Sequence, residues 1–347
     1  MILKLNYYGV RNILPWIRDF LTSRKQCVVL DGVQSRMVDV LSGLPQGTVL
    51  AALLFLIFIN DLPESITNSF TGIFCDDTLI AKEITNERDT LQLQRDLDSV
   101  VKWSELWGMQ FNAIKCVSMT VTNKRIPLIT NYYLLNKILK KEDKIKYLGI
   151  VIDKKLTFKD HIHQKCKSAS TILNMLRRNL YFAPASVKIK AYKSCVVPIL
   201  EYGSICWAPT SEKLSHSIEM VQHRAARFIT NSYNKRISIS QILENLKLKS
   251  FEERRTRARL TMAYKILNNK VILEPDLLPK SKSQKKTPLR NCNMSKVGYD
   301  NHLVEPNSRL HVTSSTFFYA TPKVWNQRVN EKQAKSSSVD SFKNHFD

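Results

Sequence analysis

Two adjacent carboxylates, Asp76 and Asp77, are the residues of this chain best suited to chemistry. They lie between two short apolar runs, Gly72–Phe74 and Leu79–Ala81, so the sequence predicts a β-hairpin with the acidic pair at its turn. Neighbouring negative charges repel each other, and their exposure at one turn is favourable when a cation binds there. Mg²⁺ prefers carboxylate oxygens and keeps its other positions for water or phosphate. The alternative interpretation is an ordinary Asp-rich turn without a ligand.

A loop rich in glycine and proline precedes the most apolar segment of the chain. Four of its residues could contact a substrate: Gly43, Pro45, Gln46 and Gly47. The two glycines let the backbone approach a ligand closely because they lack a Cβ, the proline stiffens the loop, and the glutamine could hydrogen-bond a sugar or a base. Thr48 is a suitable N-cap for an apolar helix that begins after it. A plain strand-to-helix connection is the alternative.

A basic helix could contact nucleic acid. An apolar stripe with helical spacing runs from Ala169 to Leu176, and four basic residues lie around it: Lys165, Lys167, Arg177 and Arg178. Such residues suit sequence-independent, salt-sensitive contacts with a duplex backbone. A solvated helix face is the alternative.

The composition is that of a globular chain with a polyanionic partner. The 347 residues are 44% hydrophobic, and 53 Lys plus Arg against 30 Asp plus Glu give a net charge of +23. Nucleic acid and an acidic membrane surface both suit this charge. The longest apolar run, Val49–Ile59, is too short to span a bilayer, and no secretory signal is visible, which favours an intracellular protein that binds nucleic acid.

The cysteines and histidines do not suggest a metal site. Seven cysteines occur without a CxxC pair, which indicates reduced intracellular thiols. His161 and His163 have no nearby ligand cluster, and we expect both on the surface.

Periodicity predicts further elements. A helix followed by two strands is expected over residues 11–41, with Asp31-Gly32 as the hairpin turn. Strands are expected at Met119–Thr122 and Tyr147–Ile152, and helices over residues 85–107 and Ile239–Leu267. Residues 280–299 are predicted to form a basic linker.

The order of these motifs resembles the reverse transcriptase domain of non-LTR retrotransposons of the jockey or LINE type. The stretches that carry the resemblance are Ser42–Leu50, Leu53–Pro63, Phe74–Asp77, Gly108–Lys115, Lys146–Ile150, Tyr202–Trp207 and Phe317–Asn326. Each is weak alone, but the ordered set spans most of the chain. The implied fold is α+β: a partial right-hand polymerase palm with an antiparallel sheet over residues 1–152, a helical thumb over 153–235, and a mostly helical C-terminal region over 236–347.

The resemblance also implies roles for individual residues. Asp76 and Asp77 would bind Mg²⁺ or Mn²⁺, Lys115 would lie near the nucleotide phosphates, and the loop residues would position template and nucleotide. The implied primer grip is Tyr147, Leu148 and Gly149. The implied partners are an RNA template, a DNA primer and deoxynucleoside triphosphates, without a membrane, and the implied place of action is the nucleus.

One departure from the family concerns the first metal-binding aspartate. The family carries it in a Phe-Asp motif that we expect upstream of Met1, together with the fingers region. The strand that bears Asp76 would then have an unpaired edge. We therefore expect this chain alone not to polymerise DNA. The alternatives are a non-catalytic remnant that binds nucleic acid, and a decayed element without function.

Overall fold

The computed structural model describes residues 1–209, 211–234, 236–273, 303–306 and 316–346. The predicted basic linker at 280–299 lies outside them. The chain divides into two compact units, Met1–Thr120 with Lys124–Glu142, and Val121–Asn123 with Asp143–Asp347. The boundaries predicted at residues 152 and 235 stay predictions. No helix among the described residues is long and apolar enough to cross a membrane.

The first unit contains four α-helices and a 3₁₀ turn. The α-helices are α1 Ile2–Tyr7, α2 Leu14–Leu21, α3 Val49–Ile59 and α4 Glu87–Trp107, and the 3₁₀ turn is Leu62–Ser65. Helix α3 is apolar along its whole length and contributes to two hydrophobic clusters. Leu54 is buried with Leu5 and Ile17, whereas Ile59 is buried with Trp103.

The strands of this unit are short and form separate two-stranded pairs. They are β1 Lys25–Gln26, β2 Val29–Leu30, β3 Val33–Gln34, β4 Val38–Asp39, β5 Phe70–Phe74, β6 Asp77–Ala81, β7 Val117–Ser118, β8 Tyr133–Leu134, β9 Lys137–Ile138 and β10 Lys140–Lys141. The pairs β1–β4, β2–β3, β5–β6 and β8–β9 are antiparallel, and β7–β10 is parallel. The mixed α+β class is confirmed, whereas the described residues form no continuous sheet of the predicted palm kind.

The second unit is mostly helical. It begins with the strands β11 Lys144–Tyr147 and β12 Ile150–Asp153, which form an antiparallel hairpin. Its helices are α5 Lys159–Asn179, α6 Ala185–Ala191, a π turn at Tyr192–Val196, α7 Val197–Glu201, α8 Glu212–Thr230, α9 Ile239–Asn245, α10 Phe251–Leu267, α11 Phe317–Arg328, α12 Glu331–Ala334 and α13 Val339–Asn344. One core joins α5 to α8 through residues such as Leu173 and Val221, and a second surrounds Tyr264 and Trp325.

Three predicted elements are wrong in detail. The strand predicted at Tyr147–Ile152 is interrupted by a turn at Leu148 and Gly149. The strand predicted at Met119–Thr122 instead lies at Val117–Ser118. The helix predicted over Ile239–Leu267 is two helices, because Ser250 caps the second one through a reciprocal hydrogen-bonded box with Glu253.

Candidate functional site

The predicted acidic hairpin is confirmed. Strands β5 and β6 pair with Phe74 opposite Asp77, which leaves Cys75 and Asp76 as a two-residue loop. Cys75 takes a left-handed conformation with φ of 52°. Asp76 therefore lies in the turn, whereas Asp77 begins β6, and both side chains are exposed.

Packing on one face of the hairpin fixes its position. Ile73 and Ile80 lie on the same face of β5 and β6 and pack against the cluster around Trp103. The opposite face carries Phe74 and Asp77. Apolar packing thus holds one face of the acidic hairpin, while Phe74 and Asp77 on the opposite face are exposed.

Asp96, a buried residue of α4, holds the segment that leads into β5. Its carboxylate accepts hydrogen bonds from the Ser69 hydroxyl at 2.6 Å and from the backbone amides of Thr67 and Asn68 at 3.3 and 3.2 Å. Burial opposes ionisation of Asp96, yet the hydrogen bonds from Ser69, Asn68 and Thr67 outweigh it and lower the pKa of this carboxyl group. Asp96 is a positioning residue that could not be predicted from the sequence, because a lone Asp within an amphipathic helix gives no signal.

The acidic pair offers free oxygen ligands. Within the part of the chain that the structure describes, no hydrogen bond or ion pair engages the carboxylates of Asp76 and Asp77. Two adjacent carboxylates at an exposed turn fit the donor set that Mg²⁺ or Mn²⁺ prefers. The described residues contain no group of three or more His, Cys, Asp or Glu that could hold a metal ion. The pair therefore fits part of a metal site, with further ligands supplied from elsewhere.

The Gly/Pro loop is held at both ends. Gly43 and Gly47 both take φ of 82°, which only glycine adopts without strain. The Arg24 guanidinium donates a hydrogen bond to the Gly43 carbonyl at 2.7 Å. The Thr48 side chain accepts from the Ala51 amide at 3.2 Å, which confirms the predicted N-cap. The role of Arg24 could not be predicted from the loop sequence, because Arg24 lies outside the loop.

The predicted substrate residues of the first unit lie beside different clusters: Leu44 of the Gly/Pro loop packs with Leu5 and Leu54, whereas the acidic hairpin packs against the cluster around Trp103. Gln46 and Lys115 are exposed, and Pro45 is half-buried. Phe111, four residues before Lys115, packs against the same cluster as the hairpin. No hydrogen bond or ion pair between described residues links Lys115 or the loop to the acidic turn.

The predicted primer grip lies at the turn between β11 and β12. Leu148 and Gly149 take φ of 45° and 78°. The Tyr202 hydroxyl donates a hydrogen bond to the Leu148 carbonyl at 3.0 Å, and the Trp207 indole donates one to the Tyr202 carbonyl at 2.8 Å. Lys165 extends over the Tyr202 ring, 5.5 Å from its centroid. Tyr202 thus holds the β11–β12 turn directly, and Trp207 in turn holds Tyr202.

We predict that Gly149→Ala weakens the turn. A Cβ at Gly149 would lie 3.2 Å from Cε1 of Tyr202, at a positive φ that an L-residue adopts only with strain. We expect the free energy of unfolding to fall by about 1–3 kcal/mol in urea denaturation. Gly32→Ala is a matched control, because Gly32 has φ of +82° and no atom within 4 Å of its ideal Cβ. Equal losses for both variants would show that the Tyr202 contact does not matter.

The four basic residues predicted to grip nucleic acid do not form one surface. Lys167 and Arg178 share the exposed face of α5, opposite the buried Ala169 and Leu173. Lys165 lies beside the Tyr202 ring, and the guanidinium carbon of Arg177 lies 5.8 Å from the centroid of the Tyr233 ring. Lys165 therefore lies beside Tyr202, which contacts the β11–β12 turn, whereas Arg177 and Arg178 lie in the last turn of α5.

The expectation that His161 lies on the surface is wrong. The side chain is 1% exposed, its Nδ1 accepts a hydrogen bond from the Val151 amide at 3.2 Å, and its ring lies edge-on to Trp207 at 5.0 Å. Burial and the nearby charge of Lys165 lower the pKa of His161 to about 4. His163 is exposed as expected. Spacing alone misled here because residue 161 starts the buried stripe of α5.

A known family model matches the N-terminal part of the chain. The family model described as reverse transcriptase (RNA-dependent DNA polymerase) matches residues 2–152. Residues 2–152 thus match a reverse transcriptase domain. The matched range contains the acidic hairpin, the Gly/Pro loop, Lys115 and the β11–β12 turn.

Known proteins resemble a longer part of the chain. It is 28% identical over 229 residues to the RNA-directed DNA polymerase from mobile element jockey of Drosophila melanogaster, covering 62% of this chain and 25% of the relative. It is 29% identical over 231 residues to the jockey polymerase of Drosophila funebris, covering 62% and 25%. It is 27% identical over 288 residues to the probable RNA-directed DNA polymerase from transposon BS of Drosophila melanogaster, covering 79% and 31%.

These matches confirm the resemblance to non-LTR retrotransposon polymerases. The matched part of this chain spans between a quarter and a third of the length of those relatives. No solved structure matches the chain.

Proposed function

We propose that this chain is part of an RNA-directed DNA polymerase that copies retrotransposon RNA by two-metal nucleotidyl transfer. The observation that carries the proposal is the exposed Asp76-Asp77 turn within the reverse transcriptase match. In this proposal residues 1–152 form a partial palm, residues 153–235 a thumb and residues 236–347 a C-terminal helical region. The partners are an RNA template, a DNA primer and deoxynucleoside triphosphates.

Asp76 and Asp77 would hold the catalytic cation. When bound, Mg²⁺ neutralises charge on the phosphates and favours ionisation of the primer 3′-hydroxyl. The protein contributes the positioning of the two carboxylates. Ile73 and Ile80 pack the hairpin against the core, and Asp96 holds the segment that leads into β5 through hydrogen bonds. A carboxylate pair that needs no conformational change to meet a cation is preorganised for binding.

The other predicted residues would bind and orient the substrates. Gly43 and Gly47 expose the loop backbone to the template or the incoming nucleotide, Gln46 would hydrogen-bond a sugar or base, and Lys115 would neutralise phosphate charge. The β11–β12 turn, braced by Tyr202, would hold the primer end. Lys167 and Arg178 would contact the backbone of the product duplex.

We further propose that the two carboxylates alone bind Mg²⁺ too weakly for catalysis. A two-metal centre shares its ions among carboxylates of more than one strand, and the described residues offer no third ligand in a cluster with this pair. Primer extension by the 347-residue chain is therefore expected to be undetectable.

The test is primer extension on poly(rA)/oligo(dT) with Mg²⁺. The 347-residue chain is compared with a longer protein in which the segment of a jockey-type relative that carries the Phe-Asp motif precedes it. We expect activity only in the longer protein, and a loss of about a hundredfold or more with Asp76→Asn. Asp19→Asn removes an exposed carboxylate of α2 and serves as the control.

Other outcomes assign other roles. Extension by the 347-residue chain itself would contradict its proposed dependence on a further carboxylate. Extension by the longer protein that survives Asp76→Asn would remove the metal role from Asp76. If neither protein extends the primer and both bind the template at low salt, the chain acts as a non-catalytic nucleic-acid-binding remnant.

A further inference from the structure

An open groove lies at the C-terminal end of α5. Its volume is ≈ 710 Å³. It combines two arginines, an amide and three aromatic rings, contributed by Asn174, Arg177, Arg178, Tyr181, Phe228 and Tyr233. This combination differs from a plain phosphate-binding face, because aromatic rings add flat apolar surfaces to the positive charge.

The tyrosine rings of the groove are available to a ligand. Tyr181 is 59% exposed and Tyr233 is 51% exposed. The guanidinium of Arg177 lies over the Tyr233 ring at 5.8 Å from its centroid, and Phe182, edge-on to Tyr181, is 96% exposed. Exposed rings clustered beside arginines suit a partner that has both flat faces and negative charge.

The chain around the groove carries no negative charge of its own. Neither residues 161–200 nor residues 220–243, which include its walls, contain an Asp or a Glu. Lys188 is buried behind the wall, with its ammonium 2.9 Å from the Asn231 amide oxygen and 5.0 Å from the centroid of the Phe228 ring. No carboxylate of the described residues pairs with Lys188. The segments that form the groove thus contribute positive charge and no negative charge.

We propose that this groove binds unpaired bases of single-stranded nucleic acid. Bases would stack on Tyr181 and Tyr233, while Arg178 and Lys167 contact the phosphates along the exposed face of α5. A duplex hides its base faces in its own stack and offers only phosphates and groove edges, so the tyrosine rings favour a single strand. Arg178 and Lys167 can contact the phosphates of a single strand or of a product duplex, whereas the tyrosine rings contribute only to single-strand binding, which does not depend on catalysis.

The test measures binding of fluorescent oligonucleotides by anisotropy. The probes are an adenine-rich single strand of roughly 12 nucleotides, as RNA and as DNA, and a blunt duplex of the same length. We expect Tyr233→Ala and Tyr181→Ala each to raise the single-strand Kd about tenfold, with a change of less than about twofold for the duplex. Tyr233→Phe keeps the ring and should bind as the parent chain does.

Salt dependence separates stacking from charge. The tyrosine variants should leave the slope of log K against log salt unchanged, whereas Arg178→Gln should reduce it by about 0.7 for a single strand. Tyr133→Ala is the matched control, because Tyr133 is 45% exposed in the other unit. Tyr233→Leu fills the same space without an aromatic ring and gives a second measurement if the alanine variant folds poorly.

Three results would overturn the proposal. One is unchanged single-strand binding in Tyr181→Ala and Tyr233→Ala. Another is an equal loss for single strand and duplex, which would indicate a phosphate site alone. The third is a Tyr233→Leu chain that binds the single strand as tightly as the parent.

Discussion

Replacing Lys4 with Met will destabilise the first unit by about 3–5 kcal/mol, because it breaks a buried ion pair from one side. Lys4 is 3% exposed, and its ammonium lies 2.6 Å from a carboxylate oxygen of Asp61 and 2.6 Å from the Phe58 carbonyl. Its distances to the ring centroids of Trp107, Phe58 and Trp103 are 4.0, 4.5 and 4.6 Å. The lysine therefore joins α1 to the end of α3 and to α4.

The loss of stability comes mainly from the Asp61 carboxylate, which remains without its cation. In Lys4→Met the Asp61 carboxylate keeps the Trp103 indole as a donor at 3.1 Å but loses its cation, and the rings lose a cation–π partner. Urea unfolding followed by tryptophan fluorescence measures the change, since Trp103 and Trp107 form two walls of the site.

Lys25→Met is the matched control for this prediction. Lys25 pairs with Asp39 at 3.9 Å, but both side chains are exposed, so we expect no measurable change. Adding Asp61→Leu to Lys4→Met should recover part of the lost stability, because the uncompensated charge is then gone. An unchanged urea midpoint in Lys4→Met would contradict the structural role of the pair.

Acid will destabilise the second unit through His161. The folded chain holds this histidine neutral with a pKa of about 4, whereas in the unfolded chain it titrates near 6.5. Between these values the unfolded state binds more protons, so the contribution of His161 is fully present above about pH 6.5 and is lost as the pH falls toward 4. The difference amounts to about 3 kcal/mol.

The experiment compares stability against pH for the parent chain and His161→Gln. Glutamine keeps an acceptor for the Val151 amide but does not titrate, so the decline between pH 6.5 and 4 should become smaller by up to about 3 kcal/mol. His163→Gln, at an exposed position two residues away, should leave the decline unchanged. His223, whose pKa is also lowered, first by burial and then by His216 and Arg227, adds a background that both variants share. An identical decline in His161→Gln would show that His161 titrates normally in the folded chain.

Local signals in the sequence predicted the parts of the site that short segments determine. The Asp31-Gly32 turn, the Thr48 cap and the acidic hairpin follow from residues within a few positions of one another. The family resemblance marked Tyr147–Gly149, but it did not show that Leu148 adopts a left-handed turn, since leucine rarely does. The turn is held there by Tyr202, more than fifty positions away.

Contacts between residues that are distant in the sequence could not be predicted from local patterns. Lys4 meets Asp61 and Asp96 holds Ser69 only in the folded chain, and neither residue stands out in a helical pattern. Amphipathic periodicity also does not predict whether a histidine at the start of an apolar stripe is buried, as His161 is. The roles of Asp76, Lys115 and the Gly/Pro loop stay predictions, because their side chains are exposed and their proposed ligands are not part of the chain.

The stretch without acidic residues over 161–200 has a further consequence for the free protein. Its seven Lys and Arg residues cannot be neutralised by carboxylates of the same stretch, so they repel one another in the folded helices. Added salt screens this self-repulsion and stabilises the free fold, whereas the same salt weakens a complex with a polyanion. Conditions that preserve the purified chain and conditions that preserve its complexes thus lie at opposite ends of the ionic-strength scale.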